Sequence, residues 1–168
     1  MINENKRPRL HMKESFLEIV FDLIAIGAIV ANVIYLNTMW GKIPNIVPTH
    51  FNSLGQVNGY GSKDTLFIMP IISIVIFIAI NILAKFPYIF NYTIKITEDN
   101  AEREYRNARL LIKVLLAEIC TLFTYIEWNS IKGAITSSAG LRGIFAPISM
   151  VVIVATLIFF IIRMNKLE

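Results

Sequence analysis

Cysteine and histidine are nearly missing from this sequence: Cys120 is the one cysteine, and His11 and His50 are the two histidines. A single cysteine rules out an internal disulfide framework and leaves no cysteine set for a structural zinc. His50 has no His, Asp or Glu near it at ligand spacing, so a hydrolytic metal centre has no basis, and no nucleophile–base pair stands out. Charge is also scarce. Only 17% of residues are charged against 55% hydrophobic, too apolar a balance for an ordinary soluble domain. Internal repeats and low-complexity tracts are absent. The apolar first block is too long for a signal-peptide core and has no A-x-A site, so a cleaved leader is not expected.

What the chain does have is apolar residues gathered into four blocks, at about 16–39, 65–84, 110–131 and 144–162. Each is long enough to cross a hydrocarbon core of about 30 Å, which needs roughly 20 helical residues. Unpaired backbone groups are not tolerated in lipid, so the spans are expected to be helices. The expected fold is therefore an all-α integral membrane protein, one domain over residues 1–168, with four transmembrane helices. The third block is the most polar, carrying Lys113, Glu118 and Glu127. Pro70 and Pro147 fall in or near the first turns of their helices, where a missing N–H costs little.

The formal net charge of +4 is distributed as a membrane protein's is, flanking the apolar blocks, and does not point to nucleic acid. With the N-terminus inside, twelve basic residues fall on the cytoplasmic side: Lys6, Arg7, Arg9, Lys13, Lys85, Lys95, Arg103, Arg106, Arg109, Lys113, Arg163 and Lys166. Four fall outside: Lys42, Lys63, Lys132 and Arg142. Both termini are thus expected to be cytoplasmic, and Trp40 and Trp128 then both fall at the outer interface, where indoles concentrate.

Residues 40–64 form the expected outer cap and residues 85–109 the cytoplasmic loop. In the cap, Ile46 to Phe51 suits a short extended piece. Asn58-Gly59-Tyr60-Gly61-Ser62-Lys63 reads as turn chemistry, Asn-Gly being suited to positive φ. His50, Asn52 and Lys63, with Phe51 and Tyr60 for apolar contact, are the candidate ligand-binding residues. The alternative is a folded cap in which His50 bonds a backbone carbonyl and Lys63 opens the second helix. A last outer loop runs from Lys132 to Gly143. In the cytoplasmic loop, Tyr88 to Ile96 suits a short strand or an interfacial extended segment. Thr97 or Asp99 then caps a helix that continues through Arg103, Arg106 and Arg109 into the third span.

Five residues make an expected intramembrane charge network. Glu18 and Asp22 share one face of the first helix, and Arg109 and Lys113 share one face of the third. Both helices run in the same direction, so the pairs lie at similar depth. Charges in lipid cost on the order of 3 kcal/mol each, which predicts Asp22 against Lys113 and Glu18 against Arg109. Glu118, nearer mid-membrane, is expected to turn inward and to be either protonated or hydrogen-bonded to Asn32, Asn81 or a threonine. Glu127 is placed to face the loop that holds His50.

Two strings are recognisable. The first is Ile43-Pro44-x-x-x-Pro48-Thr49-His50-Phe51-Asn52-x-x-Gly55-x-x-x-Gly59-Tyr60-Gly61-Ser62-Lys63. The second is Tyr92-x-x-Lys95-Ile96-Thr97-Glu98-x-Asn100-Ala101-Glu102-x-x-Tyr105-x-x-Ala108-Arg109. Together they resemble the uncharacterised bacterial four-helix membrane domain at the N-terminus of SdpI-type immunity proteins, which act against the sporulation-delaying peptide toxin. The resemblance implies a location in the cell membrane of Gram-positive-type bacteria. Its attributed activities are protection from a secreted toxin and membrane sequestration of a repressor. Those proteins continue into further helices, whereas this sequence ends at Glu168. The expected function is non-enzymatic recognition, without cofactor, of an extracellular peptide toxin or envelope component through the 40–64 loop, with a cytoplasmic regulator at 85–109. The alternative is a small transporter or transporter accessory subunit, with Glu118 and Asp22 lining a path.

Overall fold

The computed structural model describes residues 7–136 and 145–166. Four helices and one β-hairpin make up the fold: α1 (Phe16–Met39), β1 (Ile46–Phe51), β2 (Val57–Ser62), α2 (Ile68–Leu83), α3 (Ala101–Thr136) and α4 (Phe145–Lys166). Short 3₁₀ turns at Trp40–Lys42, Lys63–Phe67 and Pro87–Ile89 join them.

Each helix start has a local cause. Ser15 caps α1 in a reciprocal capping box: its Oγ accepts from Glu18 N at 3.3 Å, and Glu18 Oε2 accepts from Ser15 N at 2.5 Å. Pro70 sits in the first turn of α2, where its ring is compatible with the helix. Ahead of α3, Thr97 N donates to Asn100 Oδ1 at 2.9 Å and Asn100 N donates to Thr97 Oγ1 at 3.4 Å. Arg163 and Lys166 close α4, where positive charge complements the helix dipole.

Among the described residues, three segments are long and apolar enough to cross a membrane: Phe16–Lys42, Lys63–Leu83 and Pro147–Lys166. Their outward surfaces are apolar, with Leu23, Ile34, Ile71, Val75, Val151 and Phe159 all exposed on the chain itself. The third helix is different. At 36 residues α3 is about 54 Å long at 1.5 Å per residue. Its inner faces bury Asn107, Arg109, Lys113, Thr124, Glu127 and Ser130. The polarity of the third apolar block follows from this position, because α3 packs against α1, α2, α4 and the hairpin. One apolar cluster joins Ala25 and Ile29 of α1 to Leu116, Ala117 and Cys120 of α3, with Phe77 and Ile80 of α2 against it. A second, under the hairpin, joins Leu36, Ile43, Val47, Leu66 and Ile131.

The hairpin corrects the all-α expectation: residues 40–64 are not only loop. β1 and β2 pair antiparallel, from Ile46 opposite Ser62 to Phe51 opposite Val57. It also corrects the position of the turn. Asn58 and Gly59 lie inside β2, and the chain reverses at Asn52–Gln56, where Gly55 takes φ 76°. Asn52 builds that turn, its Oδ1 accepting from Leu54 N at 3.0 Å and Gln56 N at 2.9 Å. Gly59 serves close approach instead: a Cβ there would stand 2.9 Å from the Cβ of His50.

At the other end of the bundle, residues 7–15 run along α3 as a strap. Tyr105 Oη donates to Pro8 O at 3.0 Å, and Arg109 Nη1 donates to Met12 O at 3.2 Å. Arg7 stacks over Tyr92 and Arg9 over Tyr88. Burial raises the Tyr92 phenol well above its ordinary range, and Tyr105 beside it adds to the effect. Of the two expectations for Tyr88 to Ile96, a short strand or an interfacial extended segment, the strand does not form; a 3₁₀ turn at Pro87–Ile89 is followed by chain without regular secondary structure. Part of the Lys132–Gly143 loop, together with Lys6, Arg142 and the Ile144 start of the fourth block, lies outside the described residues.

Candidate functional site

The charge network forms as a ladder between α1 and α3. Glu18 Oε1 lies 2.8 Å from Arg109 Nε, with both side chains buried. One turn along, Lys113 Nζ donates to Asp22 Oδ2 and to Asn81 Oδ1, each at 2.5 Å. Asn81 is anchored on α2 by its own donation to Phe77 O at 3.0 Å. Three helices are thus tied at one level by a fully buried ammonium, as the cost of an unpaired charge in an apolar interior requires. Glu18 also belongs to the capping box, so a single carboxylate starts α1 and docks it on α3.

Glu118 stands apart from this ladder. Its Oε1 accepts from Thr156 of α4 at 2.6 Å, at the edge of an apolar cavity of about 350 Å³ between α1, α3 and α4. The expectation of a threonine partner holds, but the two asparagines are used elsewhere. Asn81 serves Lys113, and Asn32 serves Glu127, donating to Oε2 at 2.7 Å.

Under the hairpin lies a cleft of about 430 Å³. β1 and β2 contribute Pro48, Thr49, Phe51, Tyr60 and Gly61. The turn before α2 and its first residues contribute Thr65, Leu66, Ile68 and Met69, and α3 contributes Ile126, Glu127 and Ser130. The hairpin is held over α3 by Ser130, whose hydroxyl donates to Pro48 O in a short hydrogen bond. Glu127 forms part of the floor, 1% exposed, with Oε1 lacking any hydrogen-bond partner among the described residues. A concave, mainly apolar pocket with a few convergent polar groups is the usual form of a binding site.

The five sequence candidates in the cap divide around this cleft. Phe51 and Tyr60 line it. His50 does not: it is exposed, and its Nδ1 bonds the Asn58 side chain on the neighbouring strand. Asn52 is committed to the turn, and Lys63 lies over the Trp40 ring at 4.6 Å, opening the turn that leads into α2. Three of the five therefore act in folding the cap. Trp40 and Trp128 both sit at this end of the bundle, against Phe67 and Tyr35 respectively.

Glu127 is the site residue that reasoning from the sequence undervalued. The signal that bears on it is register. Asp22 and Lys113 are separated by 91 residues, and the same offset carried from Asn32 lands at position 123, between Glu118 and Glu127 and slightly nearer the latter. Among the described residues, no group of three His, Cys, Asp or Glu could hold a metal ion.

No curated protein and no solved structure gives a significant match to the chain. Residues 27–74 match the domain of unknown function DUF1648, a segment running from within α1 through the hairpin and into α2.

Proposed function

We propose that the chain is a non-enzymatic, four-helix protein of the bacterial cell membrane that recognises an extracellular peptide or envelope component. The recognition element is the 40–64 segment, acting in immunity or sensing. In this reading α3 is the fourth span and both termini are cytoplasmic. Twelve basic residues against four, and both tryptophans at the hairpin end, support that orientation. The ladder of paired charges removes the main objection to α3 as a span, since its cations near one end are neutralised by α1. Residues 85–109 and the strap packed on them would face a cytoplasmic regulator.

The observation that carries the reading is the cleft under the hairpin, with a buried carboxylate in its floor and an apolar lining. It lies inside or directly against the segment that matches DUF1648. The transporter alternative is less favoured, because the two carboxylates are engaged by different partners: Asp22 pairs with Lys113, and Glu118 bonds Thr156 through one oxygen, its second being buried without a partner among the described residues.

A challenge assay tests the proposal. A toxin-sensitive Gram-positive host carries empty vector, wild type or Met69→Trp, which fills the cleft, at matched membrane levels, and is exposed to membrane-active peptide toxins. Protection by wild type that Met69→Trp loses is the expected result. Equal protection by both refutes the cleft as the recognition site, and no protection by wild type refutes immunity.

A further inference from the structure

Two buried acceptors under the hairpin lack a donor. Glu127 Oε2 takes the Asn32 amide, but Glu127 Oε1 and Asn32 Oδ1 are both fully enclosed and unpaired among the described residues. Leaving such groups unsatisfied is costly, and native interiors rarely do so without a reason. No other polar group among the described residues donates to either atom. Ser130 has already given its hydroxyl proton to Pro48 O. None of the residues lining the cleft is basic; of the cations nearest it in sequence, Lys63 is held over Trp40 and Lys132 is exposed on α3. The cleft is therefore acidic at its floor, apolar at its walls, and short of N–H donors.

From this arrangement we infer that the cleft receives a primary ammonium group on an apolar peptide, the free amino terminus docking on Glu127. An ammonium supplies three donors and a positive charge, matching the unpaired oxygen of Glu127, the one acidic side chain lining the cleft. The first side chains of the peptide then lie against Phe51, Tyr60, Met69 and Ile126. This inference rests on the proposal that the hairpin cleft is the recognition site, and adds the chemistry of the ligand.

The test uses the full chain in nanodiscs of phosphatidylcholine and phosphatidylglycerol, neither of which carries a primary amine. The probes are the peptide Leu-Phe-Leu-Phe-Gly with a carboxy-terminal fluorophore, and its N-acetylated twin, read by fluorescence anisotropy. Wild type is expected to bind the free-amine peptide roughly 30-fold or more tightly than the twin, the scale of losing one partner of a buried charge pair. Glu127→Gln, which retains an acceptor for Asn32, is expected to erase that difference while keeping affinity for the twin. Met69→Trp is expected to weaken both peptides. The wild-type comparison needs no variant, so a Glu127→Gln chain that failed to fold would leave the test intact. Equal binding of the twins to wild type, with both lost in Met69→Trp, overturns the ammonium inference and leaves the cleft reading standing. Binding of neither peptide to wild type overturns the inference, and binding that Met69→Trp leaves unchanged overturns the cleft reading as well. Displacement of the free-amine peptide when phosphatidylethanolamine is added to the discs assigns the site to a lipid amine and overturns a peptide ligand.

Discussion

Asp22→Leu isolates the energetics of the polar ladder better than any other single change. Lys113 is fully buried, and its ammonium is shared between Asp22 and Asn81. With Asp22 removed, the cation keeps one neutral acceptor and the distant Glu14 carboxylate at 3.9 Å. Breaking a buried pair by deleting one member costs about 3–5 kcal/mol, because the survivor is stranded. The Asp22 side chain is 14% exposed, so some solvent reaches the site and the expected loss is at the lower end, about 3 kcal/mol. The double variant Asp22→Leu/Lys113→Met strands nothing and fills the space with carbon. It is expected within about 1 kcal/mol of wild type, since apolar replacement of a buried pair is often neutral. Reversible unfolding in mixed micelles, followed by far-UV circular dichroism, measures both. An Asp22→Leu chain as stable as wild type, or a double variant losing the sum of the singles, would refute the reasoning.

Other parts of the structure make separate predictions. Ser15→Ala removes the hydroxyl that accepts from Glu18 N while leaving the backbone N–H that donates to the Glu18 carboxylate, an expected cost of about 1 kcal/mol in the same unfolding assay. Gly59→Ala places a Cβ 2.9 Å from that of His50 and forces the strands apart, whereas Gly27→Ala meets nothing within 4 Å. Limited proteolysis at Asn52–Gln56 is expected to quicken several-fold in the first and not in the second. For orientation, a cysteine at Ser53 in a Cys120→Ala background is expected to react with an impermeant maleimide on intact cells. One at Lys95 is expected to react only after lysis; the reverse pattern would invert the proposed topology.

How much could be read from the sequence depended on which physical signal each residue carried. Glu18, Asp22, Arg109 and Lys113 were legible because helical spacing puts each pair on one face, and the cost of unpaired charge then leaves few arrangements. The capping box at Ser15 and Glu18 has a recognisable spacing, but the demand for a partner deep in the helix overshadowed it. The hairpin was half legible. Alternation in β1 is weak because Pro48 and Val47 are both buried, so period-two reading fails where the strand lies on α3. Asn58-Gly59 suggested a turn, yet the glycine there answers to a close cross-strand contact and not to positive φ. Depth alone leaves Asn32, Asn81 and a threonine open as partners of Glu118; the structure gives Glu118 the threonine and Asn32 to Glu127, a choice that depends on side-chain direction around α1 and α3.

The placement of polarity on α3 has a consequence for biogenesis. In the proposed four-span arrangement, each charge within α3 would oppose insertion by about 2.5–3.5 kcal/mol if that helix met the bilayer alone near its centre. α1 and α2 emerge earlier and are apolar enough to partition unaided, and they already display Asp22 and Asn81. Retention of α3 then depends on being received by these partners within the membrane, more than on its own hydropathy. A substitution at Asp22 would on this account act during synthesis as well as in the finished protein, lowering the yield of inserted chain before it altered the stability of what remained.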